Sequence, residues 1–111
     1  MIGQASGAIV ETFLASELIK NRYNTAQEPS IGFFRDSAGH EIDFVIDDGA
    51  DTRLLEVKAS STFHTDFLKN IRFYRTQPSA RVSQSSVVYT GTESFVVDNI
   101  SVVPISNIQT L

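Results

Sequence analysis

The chain has 111 residues, 41% of them hydrophobic, a formal charge of −4 and no cysteine. This length suits one domain around one core, and the lack of cysteine excludes disulfides, thiolate metal sites and a cysteine nucleophile. The acidic balance counts against a general nucleic-acid binder, which is usually basic.

Residues 7–22 read as a helix, with Ile9, Val10, Phe13, Leu14 and Leu18 on one broad face and Ser6 as N-cap. Glu11 sits at the edge of that face. Glu17 lies nearer its middle, where a basic partner such as Arg35 is expected. Both interrupt the N-terminal apolar stretch, so no signal peptide is expected. No apolar run reaches the ~20 residues of a membrane span. A cytoplasmic setting without a membrane partner is the expectation.

A polar loop with Pro29 leads to a short strand at 31–35 and a turn at 36–40. Residues 41–47, EIDFVID, alternate as a strand, which predicts Ile42, Phe44 and Ile46 on one face and Asp43, Val45 and Asp47 on the other. Residues 48–51 close a hairpin loop, and 53–59 form the third strand.

Residues 61–75 read as a second helix with Phe63, Phe67, Ile71 and Tyr74 as its buried stripe. Lys69 and Arg72 fall on the opposite face and Arg75 at its edge. Strands follow at 85–90, 94–98 and 100–105, with 90–93 as a hairpin turn and Pro104 at a strand end or edge. His40 and His64 fall at element ends, as surface or capping residues. The order implies an α/β fold: a three-stranded antiparallel meander, then a helical crossover to a parallel strand.

The hairpin is where chemistry concentrates. If Asp47 pairs with Thr52, Asp43 lies opposite Glu56 and Glu41 opposite Lys58. Asp43, Glu56 and Lys58 then share one side, with Leu55 and Val57 on the other. Opposed carboxylates repel. Protonation, a bridging cation or full solvation relieves this. A hard divalent cation with oxygen ligands is one such solution. Two carboxylates, a metal and a lysine suit metal-assisted phosphodiester hydrolysis. The ordinary alternative is a solvated hairpin with a Glu41–Lys58 ion pair.

An Asp in one strand followed by Glu-x-Lys in the next resembles the PD-(D/E)XK nuclease superfamily, whose core order is helix, three strands, helix, strand. The proline of that motif is absent, and Asp43 follows Ile42. GAIVETFLASEL, FFRDSAGHEIDFVID and LLEVKAS together resemble the C-terminal domain of unknown function of bacterial and archaeal AAA+-type ATPases. That resemblance implies a restriction-endonuclease-like fold over roughly Gly3 to Tyr89.

It further implies Mg²⁺ or Mn²⁺ held by Glu11, Asp43 and Glu56, with Lys58 as the catalytic lysine. Lys69, Arg72 and Arg75 would then contact phosphates of a nucleic acid. The ATPase portion is missing, since no Gly-x-x-x-x-Gly-Lys-Ser/Thr occurs, so no ATPase activity is expected of this chain. Apolar strands near the C-terminus are expected as core, or as a docking face for the ATPase or a second copy. The competing expectation is a catalytically inactive docking or recognition module.

Overall fold

The computed structural model describes residues 30–110 apart from Asp48. The helix expected over 7–22, with Glu11 and Glu17, lies outside the described residues.

Three strands run up, down and up: β1 (Ser30–Arg35), β2 (Glu41–Asp47) and β3 (Thr52–Lys58). Both connections are short and chemically specified. Asp36 closes the first, its Oδ1 accepting from the backbone N–H groups of Ala38 (3.1 Å) and His40 (2.8 Å). Its Oδ2 lies 2.9 Å from His40 Nδ1, and the imidazole stacks on Phe73 at 3.7 Å, tying the hairpin to the helix above it. In the second, Asp47 Oδ1 accepts from Gly49 N–H (2.8 Å), and Gly49 takes a φ of +98° that other residues resist.

After β3 the chain bends at Ser61 and Thr62, where Ser60 Oγ donates to Thr62 O, and is extended at His64 (φ −129°, ψ 140°). Helical structure begins as a 3₁₀ turn at Thr65–Leu68 and becomes α1 at Lys69–Arg75, shorter than the 61–75 expected. Local Ser and Thr bonding competes with helix here. Leu68 and Ile71 are fully buried, with Phe63, Phe67 and Tyr74 half-buried beside them. The expected stripe is therefore present, with Leu68 its missing member.

The chain then enters β4 (Val82–Tyr89), parallel to β3, and ends with β5 (Phe95–Val97), β6 (Ile100–Pro104) and a kinked 3₁₀ segment at Ile105–Thr110. The strand order is β1-β2-β3-β4-β6-β5, a six-stranded mixed sheet, with one α-helix among the described residues. The fold is thus mixed α/β, with the expected meander and crossover.

The expected hairpin turn at 90–93 is overturned. β6 lies between β4 and β5, so 90–93 is a longer passage across the sheet. It is closed by Tyr89 OH donating to Glu93 O (2.8 Å) and by Thr90 N–H donating to Ser60 O (3.0 Å). The true hairpin is β5–β6, whose two turn residues Asp98 and Asn99 both have positive φ (54° and 59°). Those angles match the primed turns that suit the twist of flanking strands. Pro104 does end β6, as expected.

Apolar residues pack on both faces of the sheet. On the α1 side, Ile42, Leu54, Val87, Ile100 and Val102 meet Leu68 and Ile71. On the other side, Ile46, Leu55, Val88 and Val103 meet Ile108. This division corrects the alternation expected for β2. Gly32 pairs with Val45 but Phe34 pairs with Ile42, so Phe33 faces both Asp43 and Phe44. That is a β-bulge, and one extra residue reverses the facing of everything beyond it. Ile42 and Val45 therefore pack toward α1, while Phe44 and Ile46 pack on the opposite face.

Candidate functional site

The β2–β3 ladder runs from Asp47↔Thr52 to Phe44↔Leu55, the register anticipated from the loop length. Continued by one step, it brings Asp43 beside Glu56. There the regular backbone pairing stops. Asp43 N–H donates to the Glu56 side chain at Oε1 (3.0 Å), and Val57 N–H donates to Asp43 Oδ2 (2.8 Å). The two carboxylates have taken the place of backbone acceptors. The bulge in β2 falls at this same step.

Glu56 is 1% exposed, and Oε2, its second oxygen, has no hydrogen-bond partner. Lys58 Nζ lies 3.4 Å from that oxygen, an ion-pair contact, with the Phe67 ring centroid 5.8 Å away. Lys58 is half-buried and Asp43 is exposed, so the group reaches solvent on that side. Burial pushes the Glu56 carboxyl up from an ordinary 4.5 to about 7; the Asp43 charge adds to this, while Lys58 and the Asp43 N–H oppose it. A buried carboxyl of this kind is a recognised mark of functional sites.

Two of the three expected metal ligands, Asp43 and Glu56, and the expected catalytic lysine, Lys58, are thus described, and they converge. Glu11, the third expected ligand, lies outside the described residues. Asp43 and Glu56 supply hard oxygen donors, and the orphaned Oε2 of Glu56 is a buried acceptor that a cation would satisfy. The donor chemistry therefore fits Mg²⁺ or Mn²⁺. Among the described residues no group of three or more His, Asp or Glu side chains is placed to hold a metal.

The ion pair expected between Glu41 and Lys58 does not form. Glu41 Oε2 lies 3.6 Å from Arg35 Nε, and Lys58 turns to Glu56 instead. The strands have stopped pairing before Glu41 is reached, so the extrapolated neighbour is lost.

The three cations expected to touch phosphates sit elsewhere. Lys69 lies 3.7 Å from Asp66. Arg72 Nε donates to Asp98 Oδ2 (2.8 Å), while Arg75 donates from Nη1 to Asp98 O (2.7 Å) and from Nη2 to Asn99 O (2.9 Å). The two arginines thereby pin the β5–β6 turn to α1. His64 is exposed, with its ring edge-on to Phe67 at 5.5 Å, and His40 belongs to the first hairpin. Neither histidine enters the carboxylate group. Sequence reasoning missed Phe67, which had been placed only in the buried stripe; its position four residues before Ile71 gave no sign of contact with Lys58.

Residues 6–108 match the family described as a domain of unknown function, DUF4143. The chain belongs to the DUF4143 family. The matched span of this DUF4143 domain takes in every strand among the described residues, α1, and Asp43, Glu56 and Lys58. No curated protein and no solved structure matches it.

Proposed function

We propose that this DUF4143 domain is a metal-dependent nuclease-type module that hydrolyses phosphodiester bonds of DNA. The observation that carries the reading is the convergence of Asp43, buried Glu56 and Lys58 where the β2–β3 ladder opens. The described order of three antiparallel strands, helix and parallel strand supports a restriction-endonuclease-like core, which the expected 7–22 helix would complete. The sequence resemblance supports attachment to an AAA+-type ATPase.

In this reading Asp43 and Glu56 hold Mg²⁺ or Mn²⁺, with Glu11 as a third carboxylate. The metal would supply Lewis-acid polarisation and neutralise charge at the phosphate. Lys58, at the edge of the buried carboxyl, orients the attacking water and stabilises the negative charge growing on the phosphoryl oxygens. Phe67 beneath it limits where the ammonium can move.

A second reading, a catalytically inactive docking or recognition module, is favoured by two observations. Arg72 and Arg75 are already engaged with the β5–β6 turn, and the chain carries a net charge of −4.

The test is a calorimetric Mn²⁺ titration of the domain beside Asp43→Asn, followed by cleavage assays on branched, single-stranded and duplex DNA. Saturable binding abolished by the substitution, with Mn²⁺-dependent cleavage lost in Lys58→Met, is the expected result. Removing one such charge-stabilising group typically costs about 100-fold or more in rate. Mn²⁺ binding without cleavage of any substrate, or no binding at all, would leave the inactive module as the better reading.

A further inference from the structure

Lys58 closes β3, and its backbone is fixed by pairing with Tyr89 of β4. Its side chain is a compact charge on a flexible four-carbon stem, so holding the ammonium in one place costs rotamer freedom. Two contacts restrain it. One is Glu56, whose Oε2 lies 3.4 Å from Nζ. That contact is not a directed hydrogen bond, because Oε2 accepts none. It draws the ammonium near without setting its direction. The other is the Phe67 ring, with Nζ over it at 5.8 Å from the centroid. At that separation the ring quadrupole still attracts an ammonium.

The ring is itself held. Phe67 N–H donates to His64 O (3.0 Å), and the next residue, Leu68, is fully buried. Phe63 meets the Phe67 ring edge-to-face at 5.7 Å, and Phe95 of β5 meets Phe63 in the same way at 5.0 Å. Edge-to-face pairs favour one relative orientation, so the face turned to Lys58 is set by the 3₁₀ turn, the segment before it and β5 together. The two restraints on Lys58 also differ in what removes them. On the nuclease reading a cation occupies Glu56 Oε2 and cancels the charge that draws the ammonium in. The neutral ring is untouched by that change.

We propose that Phe67 is a positioning residue: its ring keeps the Lys58 ammonium beside the Glu56 carboxyl when the Glu56 charge is no longer there to attract it. The catalytic consequence of this hold rests on the nuclease reading; the hold itself does not.

The experiment follows the motion of the Lys58 ε-methylene by carbon NMR relaxation, in the full chain at pH 8 without metal. Lys58→Met assigns the signal, and Glu56→Gln stands in for the lost charge. Lys58 should stay ordered in the wild type and in Glu56→Gln, and become mobile in Glu56→Gln/Phe67→Leu. Glu56→Gln/Phe67→Tyr, which keeps an aromatic face, should restore the order. Leucine keeps the apolar bulk, so a merely structural role for Phe67 would lower the urea midpoint without loosening Lys58. Equal Lys58 motion in Glu56→Gln and in the double variant with leucine overturns the proposal, as do leucine and tyrosine acting alike. The second measurement is cleavage by the single variants. Phe67→Leu should lower kcat about threefold to tenfold at unchanged KM, and Phe67→Tyr should recover it. An unchanged kcat in Phe67→Leu overturns the catalytic role. An ordered Lys58 in a domain that cleaves no substrate supports the hold and counts against the nuclease reading instead.

Discussion

Glu56→Gln should make the domain more stable at pH 8 and should flatten its stability profile between pH 4.5 and 7. The Glu56 carboxyl is raised from 4.5 to about 7, chiefly by burial. In the folded chain it keeps its proton up to about pH 7, while in the unfolded chain it loses it near 4.5. Across that window the folded state binds one proton more, so stability falls as pH rises. The contribution is fully present below pH 4.5 and lost above about 7. At ~1.4 kcal/mol per pH unit, the loss amounts to about 3 kcal/mol. That is a large fraction of the ~5–15 kcal/mol that holds a typical domain folded.

Glutamine keeps the shape and the Oε1 acceptor for Asp43 N–H but carries no charge. The assay is urea unfolding of both proteins at pH 4.5, 6, 7 and 8 in EDTA. The difference between them reports Glu56 together with its coupling to Asp43 and Lys58, because the titrations of more distant groups are common to both. The variant should gain on the wild type by up to about 3 kcal/mol at pH 8 and little at pH 4.5. Parallel profiles would refute the reasoning, since the buried carboxyl would then impose no linkage. On the metal reading, Mn²⁺ added at pH 8 should restore stability to the wild type alone.

Three further outcomes follow from the fold. Ile71→Ala removes a fully buried side chain between α1 and the sheet and should cost about 2–5 kcal/mol, read as a fall in the urea midpoint. Asn99→Gly relieves a positive φ of 59° in the β5–β6 turn and should raise the Tm, whereas Asn99→Val should lower it by about 1–2 kcal/mol equivalent. Phe33→Thr, at a ring 66% exposed on β1, should change stability by no more than about 0.5 kcal/mol, checked by the same unfolding curves.

The hairpin register was legible because a short polar loop leaves few ways to close: Asp47 had to meet Thr52, and Asp43 then lay beside Glu56. The facing of Ile42 was not legible. A bulge is a mismatch between two strands, and nothing in the letters of β2 records that Phe33 of β1 faces two residues. The β5–β6 turn was missed for a related reason. Gly-containing 90–93 looked like the better turn, yet Asp98 and Asn99 tolerate the left-handed conformation well enough to serve. The shortened α1 reflects Ser60 and Thr62 satisfying each other locally before the helix can start.

By itself, the sequence determined the mixed α/β class, the strand meander and the clustering of Asp43, Glu56 and Lys58, because these follow from local periodicity and loop length. Only the tertiary structure decided what the cluster is like. Packing α1 over the sheet buries Glu56, raises its carboxyl toward neutrality and sets Phe67 beside Lys58. It also commits Arg72 and Arg75 to a turn 23 to 26 residues away. Burial and long-range pairing depend on which surfaces meet, and a one-dimensional pattern of polar and apolar residues does not encode that meeting.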